Sequence, residues 1–312
     1  MHAGSASAAV PRRLVQTISP VVFRRVAFAA VGVLILIVAT GATVRLTGSG
    51  LGCPHWPTCT TKHALPRGYH SDIEFANRVV SAITVITTLA LAVAAWRTRG
   101  LGRRGRWLAT AVFAGTLAQA PLGAIVVYFD LNPYLVITHL LLSFTLVALA
   151  VLTLLEASRL VRGEAAPLPG IARLGGLVLV AAVVVLAVSG TAATAAGRFA
   201  GSSGTEVVPR LGSFYPAVYW HVRAVAVFGI VFIALAAWAW TRRAAYPWLL
   251  LACAGLLAIL AVQMTIGEVQ YRSYGDVPWW LVLVHVATAA ILVGWTVGLA
   301  ARIWRPIGPR LD

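Results

Sequence analysis

Glu74, Asn77, Arg78, His139, His221, Arg223 and His285 all fall inside stretches of otherwise apolar sequence. An ionisable group left unpaired in such surroundings is costly, which makes each of them a functional candidate by default. Two histidines facing one another across a helix bundle can hold a heme iron through both axial positions. His221 and His285 form such a pair by sequence order, with His139 a third ligand of the same kind. The competing reading is a helix-to-helix hydrogen bond made by each ring. Zinc suits the pattern less well, because it prefers four close ligands and two are offered. Arg78 and Arg223 lie close enough in sequence to meet anionic propionates. Glu74 and Asn77 are three residues apart, so on a helix they share a face and can address one ligand. A buried carboxylate there is a natural proton acceptor; its alternative is an ion pair with Arg78 or Arg45. Cys53 and Cys59 lie in the run Thr47-Gly-Ser-Gly-Leu-Gly-Cys53-Pro-His55-Trp-Pro-Thr-Cys59. On an oxidising side they can close a small disulfide loop; with His55 they could instead form a copper or zinc site short of a fourth ligand. Cys253 sits mid-run and is expected as a buried small hydrophobe. Tyr271, Trp279 and Trp280 suit an interfacial aromatic belt.

The elements that must position these groups are membrane-spanning helices. Of 312 residues, 60% are hydrophobic and 11% charged, and the mean hydropathy is +0.86. A soluble domain carries about a quarter charged residues, so the solvent for most of this chain is lipid. Crossing about 30 Å of hydrocarbon takes roughly 20 apolar residues. Eight runs qualify, near 25–46, 74–96, 107–128, 134–155, 174–196, 218–240, 247–266 and 279–301. The first follows Arg24 and Arg25 as a signal peptide would, but its apolar stretch is too long and further spans follow, so it is expected to be retained.

The net charge is +16. A nucleic-acid binder would gather that charge on one solvated face. Here it lies in short patches between apolar runs, which disfavours nucleic acid. With the N-terminus inside, seventeen cations fall in cytoplasmic segments, among them Arg12, Arg13, Arg310 and the run Arg97 to Arg106, which needs no role beyond anchoring topology. Six fall outside: Arg45, Lys62, Arg67, Arg198, Arg210 and Arg272. Both termini are therefore expected in the cytoplasm. The even-numbered spans then descend from the outer side, placing Glu74, Asn77, His139, His221 and His285 in the outer third of the membrane at nearly one depth.

The chain also repeats. Gln119-Ala-Pro-Leu-Gly123 corresponds to Gln263-Met-Thr-Ile-Gly267 at an offset of 144, and Leu135-Val-Ile-Thr-His139 to Leu281-Val-Leu-Val-His285 at 146. Arg78 and Arg223 are 145 apart, and Gly41-Ala-Thr and Gly190-Thr-Ala hold like places in spans one and five. The expected fold is an all-α integral membrane protein of eight helices, arranged as two pseudo-symmetric four-helix bundles in parallel repeat. The divisions are a tail over 1–24, a first bundle over 25–160, a linker over 161–173 with Pro167 and Pro169, a second bundle over 174–301 and a tail over 302–312. An inverted-repeat transporter does not fit an even number of spans per unit; a parallel-repeat transporter does.

The glycine-cysteine loop, Glu74-Phe-x-x-Arg78, and the Gln-x-x-Leu/Ile-Gly and His elements of both halves together resemble heme A synthase of the cytochrome oxidase assembly family, over about residues 25–305. The resemblance implies a C-terminal bundle holding heme b on His221 and His285. It implies an N-terminal bundle that binds heme O and oxidises its C8 methyl group to formyl, giving heme A for the terminal oxidase in the cell membrane. Glu74 matches the family's essential carboxylate, and Cys53 and Cys59 its loop cysteines. Implied associates are cytochrome oxidase assembly factors and the farnesyl-transferring enzyme that makes heme O; an oligomer is compatible with all of this. Two departures stand out. The family pattern has His where this chain has Asn77, and it has Arg directly after His where this chain reads His221-Val-Arg223. The substrate iron is then expected on His139, with Asn77, water, His70 or His63 opposite. A heme b cytochrome that only transfers electrons, and a heme chaperone or transporter without turnover, are the alternative functions.

Overall fold

The structure, a computed structural model, describes residues 17–53, 55, 59, 65–202 and 208–308. Arg12, Arg13, Lys62, His63 and Arg310, which entered the readings above, lie outside the described residues. The described residues form eight helices and otherwise only isolated bridges: α1 (Pro20–Leu46), α2 (Tyr69–Arg97), α3 (Arg103–Tyr128), α4 (Pro133–Arg162), α5 (Gly170–Ala196), α6 (Phe214–Thr241), α7 (Pro247–Arg272) and α8 (Trp279–Trp304). Each is long and apolar enough to cross a membrane, and the fold is that of an all-helical, multi-pass membrane protein.

Burial follows the logic of lipid rather than water. Between helices sit small residues such as Ala27, Ala30, Ala94, Ala95, Ala109, Ala150 and Ala157, all nearly inaccessible. They let backbones approach where no hydrophobic drive between helices exists. Facing outward are Phe28, Ile86, Trp220, Ile230, Ile233 and Leu251, each well over half exposed. In water such a surface would aggregate; in a bilayer it is the solvated face.

Helices run past the expected spans at several ends. α2 begins at Tyr69 rather than 74, α4 continues to Arg162, and α5 starts at Gly170, inside the expected linker. Hydropathy marks the stretch inside hydrocarbon, whereas intrahelical hydrogen bonding continues into the interface. Arg159 and Arg162 in the last turn of α4 complement its C-terminal dipole. Starts are set locally: Ser19 accepts from Val22 N–H ahead of Pro20, and Asn132 accepts from Tyr134 N–H ahead of Pro133. The turn from α3 to α4 is tight, with Asp130 and Leu131 at φ 50° and 58°.

α1 packs on α2 and α4, and α3 on α2 and α4; α5 packs on α6 and α8, and α7 on α6 and α8. α8 touches α1 and α4, and α4 touches α5. One apolar cluster draws mainly on α1 to α4, around Phe23, Leu34, Leu91 and Val112. The other draws mainly on α5 to α8, around Leu179, Phe228, Leu256 and Ile303.

Candidate functional site

Two cavities of similar size open among these helices. The first, about 1090 Å³, is lined by Glu74, Asn77 and Arg78 of α2, His139 of α4, and Gly41 and Arg45 of α1. Glu74, on the second turn of α2, is 5% exposed. Its Oε1 accepts from Arg78 Nη2 at 2.6 Å, one turn along the helix, and its Oε2 accepts from the backbone N–H of Cys53 at 2.8 Å. Arg78 also donates to the carbonyls of Cys53 (3.1 Å) and His55 (2.6 Å). The carboxylate and the guanidinium therefore pin the extramembrane loop to α2. Cys53 and Cys59 are disulfide-bonded, which uses both thiols and removes the copper or zinc alternative for that loop. The loop approaches so closely that a Cβ on Gly52 would lie 2.7 Å from the His70 carbonyl oxygen, so only glycine fits.

Asn77 is held from α1: Thr40 Oγ1 donates to its Oδ1 at 2.7 Å. Across the cavity, His139 has a buried Nδ1 without a hydrogen-bond partner. Its backbone carbonyl is fixed by Gln119 Nε2 at 3.1 Å, and the Cβ that Gly123 lacks would lie 3.6 Å from its Cε1. His70 lies outside the cavity lining, with Nδ1 3.0 Å from Ser49 Oγ, while His55 stands exposed at the rim.

The second cavity, about 1030 Å³, is lined by His221 and Arg223 of α6, His285 of α8, Gly190 of α5 and Gly267 of α7. His221 Nδ1 is 3.1 Å from Ser189 Oγ, which itself donates to the Leu186 carbonyl at 3.0 Å. That hydroxyl is left to accept from Nδ1–H, which puts the lone pair on Nε2, the tautomer a metal ligand needs. His285 has a buried Nδ1 without a partner, and Gln263 Nε2 donates to its carbonyl at 2.9 Å. A Cβ on Gly190 would lie 3.0 Å from His221 Cε1, and one on Gly267 3.5 Å from His285 Cε1.

These features fit a flat macrocycle better than a bare ion. His139 and His285, each with a buried Nδ1 without a protein partner, are not explained as helix-to-helix hydrogen bonders through that atom, whereas His221 does bond across to Ser189. Among the described residues, no group of three or more His, Cys, Asp or Glu is placed to hold an ion unaided. A heme brings its own equatorial nitrogens and asks the protein only for axial ligands. Both cavities sit at or slightly above the upper end, about 1,000 Å³, of ordinary small-molecule pockets.

The structure thus gathers Glu74, Asn77, Arg78 and His139 around one cavity and His221 with His285 around the other. Both arginines line their cavities. Arg78 is engaged with Glu74 and the loop carbonyls, and Arg223 is exposed and lies over the Tyr219 ring. Four residues gain roles that the sequence reading did not assign: Thr40 and Ser189, which hold Asn77 and His221, and Gln119 and Gln263, which hold the histidine backbones. For the two glutamines the signal lay in the repeat itself, where Gln119 and Gln263 stand 144 apart.

The family described as Cytochrome oxidase assembly protein matches residues 24–297. The chain belongs to that family. Its similar relatives include proteins named Heme A synthase. That of Geobacillus kaustophilus (strain HTA426) is 35% identical over 107 residues, 33% of this chain and 33% of the relative. That of Bacillus pumilus (strain SAFR-032) is 35% identical over 132 residues, 41% and 43% of the two chains. That of Staphylococcus haemolyticus (strain JCSC1435) is 36% identical over 125 residues, 38% and 41%. In each, the chain spans less than half the length of the relative it matches.

Proposed function

We propose that this family member is a heme A synthase, which oxidises the C8 methyl of heme O to a formyl group and so supplies heme A to a terminal oxidase. The observation that carries the reading is the first cavity: a buried carboxylate, Glu74, held by two donors beside His139 in a chamber of macrocycle size. Family membership and the names of the relatives point the same way.

In this reading α1 to α4 form the substrate half and α5 to α8 the cofactor half, in parallel repeat. Support comes from paired contacts, Gln119 to His139 and Gln263 to His285, and Thr40 to Asn77 and Ser189 to His221. The cation distribution, seventeen against six, supports both termini in the cytoplasm and the cavities toward the outer face of the cell membrane. His139 anchors heme O through its iron. Glu74 stands ready to take a proton, or to stabilise positive charge, as the methyl is oxidised. Its grip on Cys53 N–H holds the loop over that end of the cavity and limits water there. His221 and His285 would hold heme b, whose chemistry when bound is one-electron relay.

The test is extraction of hemes from membranes expressing the chain, with separation by chromatography and identification by mass. Heme A together with heme b is expected. Heme b alone would favour an electron-transfer cytochrome. Bound heme O with no conversion would favour a chaperone or transporter.

A further inference from the structure

We propose that the first cavity binds its heme through His139 alone, and that Asn77 leaves the opposite axial position of that iron open to a small exogenous ligand. The proposal rests on the reading of this cavity as the substrate heme site. It follows from comparing the two halves of this one chain.

In the second half, α6 offers His221 as the residue that would ligate iron, steadied by Ser189 of α5 and faced by Gly190. The corresponding place on α2 holds Asn77, steadied by Thr40 of α1 and faced by Gly41. The supporting parts are alike and only the ligand differs. An asparagine side chain ends where imidazole has its Nδ1 and Cδ2 atoms, so it lacks the Cε1–Nε2 edge that reaches a metal. Its Oδ1 is committed to the Thr40 hydroxyl at 2.7 Å. The remaining amide nitrogen is a donor with a delocalised lone pair and does not ligate iron.

The glycines record the difference in room. A Cβ at Gly190 would sit 3.0 Å from the imidazole of His221, whereas one at Gly41 would clear Asn77 Oδ1 by 3.9 Å. The first cavity keeps a slot suited to a ring but places a shorter group in it, whose N–H can donate to whatever occupies the freed space. Among the described residues, the other nearby histidines are His70, which lies outside the lining with Nδ1 near Ser49 Oγ, and His55, exposed at the rim; His63 lies outside the described residues. A heme with two imidazoles is closed to small ligands, while one with a single imidazole and a polar distal group admits them. The two halves thereby divide the work: a closed iron in one, an open iron beside Glu74 in the other.

The experiment uses the purified full chain carrying its hemes, with carbon monoxide as probe of the reduced form and electron paramagnetic resonance of the oxidised form. The expected wild-type result is a high-spin population assigned by mass to heme O or heme A, binding carbon monoxide in proportion to its amount, beside a low-spin heme b that does not bind it. Asn77→His should convert that population to low spin and abolish carbon monoxide binding, whereas Asn77→Ala should keep it high-spin and able to bind carbon monoxide. A wild-type heme O or A that is low-spin and inert to carbon monoxide overturns the proposal, as does undiminished binding in Asn77→His. His139→Ala tests the underlying reading separately. Loss of heme O and A with heme b retained upholds it; full retention of all hemes overturns the reading and the proposal with it.

Discussion

Glu74 meets two donors of different kinds, the Arg78 guanidinium and the Cys53 backbone N–H, and the two make different demands on it. A neutral amide of the same shape satisfies the backbone donor but provides no charge. Glu74→Gln should therefore keep the loop near its place and still bind heme O on His139. It should accumulate heme O or an alcohol intermediate, with heme A yield down about a hundredfold or more, the usual worth of a positioned acid or base. Glu74→Asp should retain partial activity, since a displacement of about 1 Å can cost on the order of a hundredfold. Chromatography of extracted hemes reads both variants, and normal heme A from Glu74→Gln would leave the carboxylate with only its ion-pair role. In the other cavity, His221→Ala or His285→Ala should each abolish a low-spin heme b absorption band. A spectrum unchanged in both variants would take heme b away from this site.

At the scale of helices and loops, missing Cβ atoms set how closely one element approaches the next. Gly190→Ala places a methyl 3.0 Å from the His221 ring, so the imidazole must tilt and the low-spin spectrum should shift or weaken. Gly41→Ala, with 3.9 Å to Asn77, should leave the first cavity intact, and optical spectra of the two variants make the comparison. The extramembrane loop is tied at Gly52 and by the disulfide. Gly52→Ala drives a methyl to 2.7 Å from the His70 carbonyl, which must lift the loop and detach Cys53 N–H from Glu74. Heme A yield should fall while the heme b spectrum persists; loss of both would mean general misfolding instead. Replacing Cys53 and Cys59 by Ser removes a cross-link that, closing so short a loop, contributes about 2 kcal/mol, so protein level should drop before activity per molecule does. Mass mapping without reductant that found both thiols free would contradict the pairing.

Across the whole molecule, the two sets of helices are joined at the end away from the cavities by charge. Glu156 of α4, 9% exposed, accepts from Arg159 at 3.0 Å and from Arg305, just past α8, at 2.6 Å, and pairs with Arg104 of α3 at 3.4 Å. Arg159, 5% exposed, also donates to the carbonyls of Ala301 and Arg305. Removing one member of a buried ionic cluster leaves the others uncompensated and typically costs about 3–5 kcal/mol. Glu156→Gln should lower the thermal midpoint of the detergent-solubilised protein while its heme spectra at low temperature stay unchanged. An unaltered midpoint would show that lipid and backbone contacts suffice to hold α4 against α8. Arg104 belongs to the run that the cation count assigns to topology alone; the fold also pairs it with Glu156. At the opposite end, Leu131 of the α3–α4 turn packs against Gly50 and Gly201, and Gly50 N–H donates to the Gly201 carbonyl at 2.8 Å, so loops from both sets close over the first cavity.

The eight crossings were legible because crossing lipid is a local demand: each run must satisfy its own backbone and present apolar side chains, whatever its neighbours do. The residues that line the two cavities were legible for the related reason that ionisable groups are conspicuous in apolar surroundings, and the repeat sorted them into two sets. Helix ends were less so, because hydropathy reports hydrocarbon and not hydrogen bonding, as the extra turns of α2, α4 and α7 show. What no local pattern could reveal was which group engages which. Thr40 and Asn77 are 37 residues apart, Cys53 and Glu74 21, and Glu156 and Arg305 149. Those pairings exist only once helices are packed, since a side chain's partner is chosen by three-dimensional proximity, and periodicity along the chain carries no record of it.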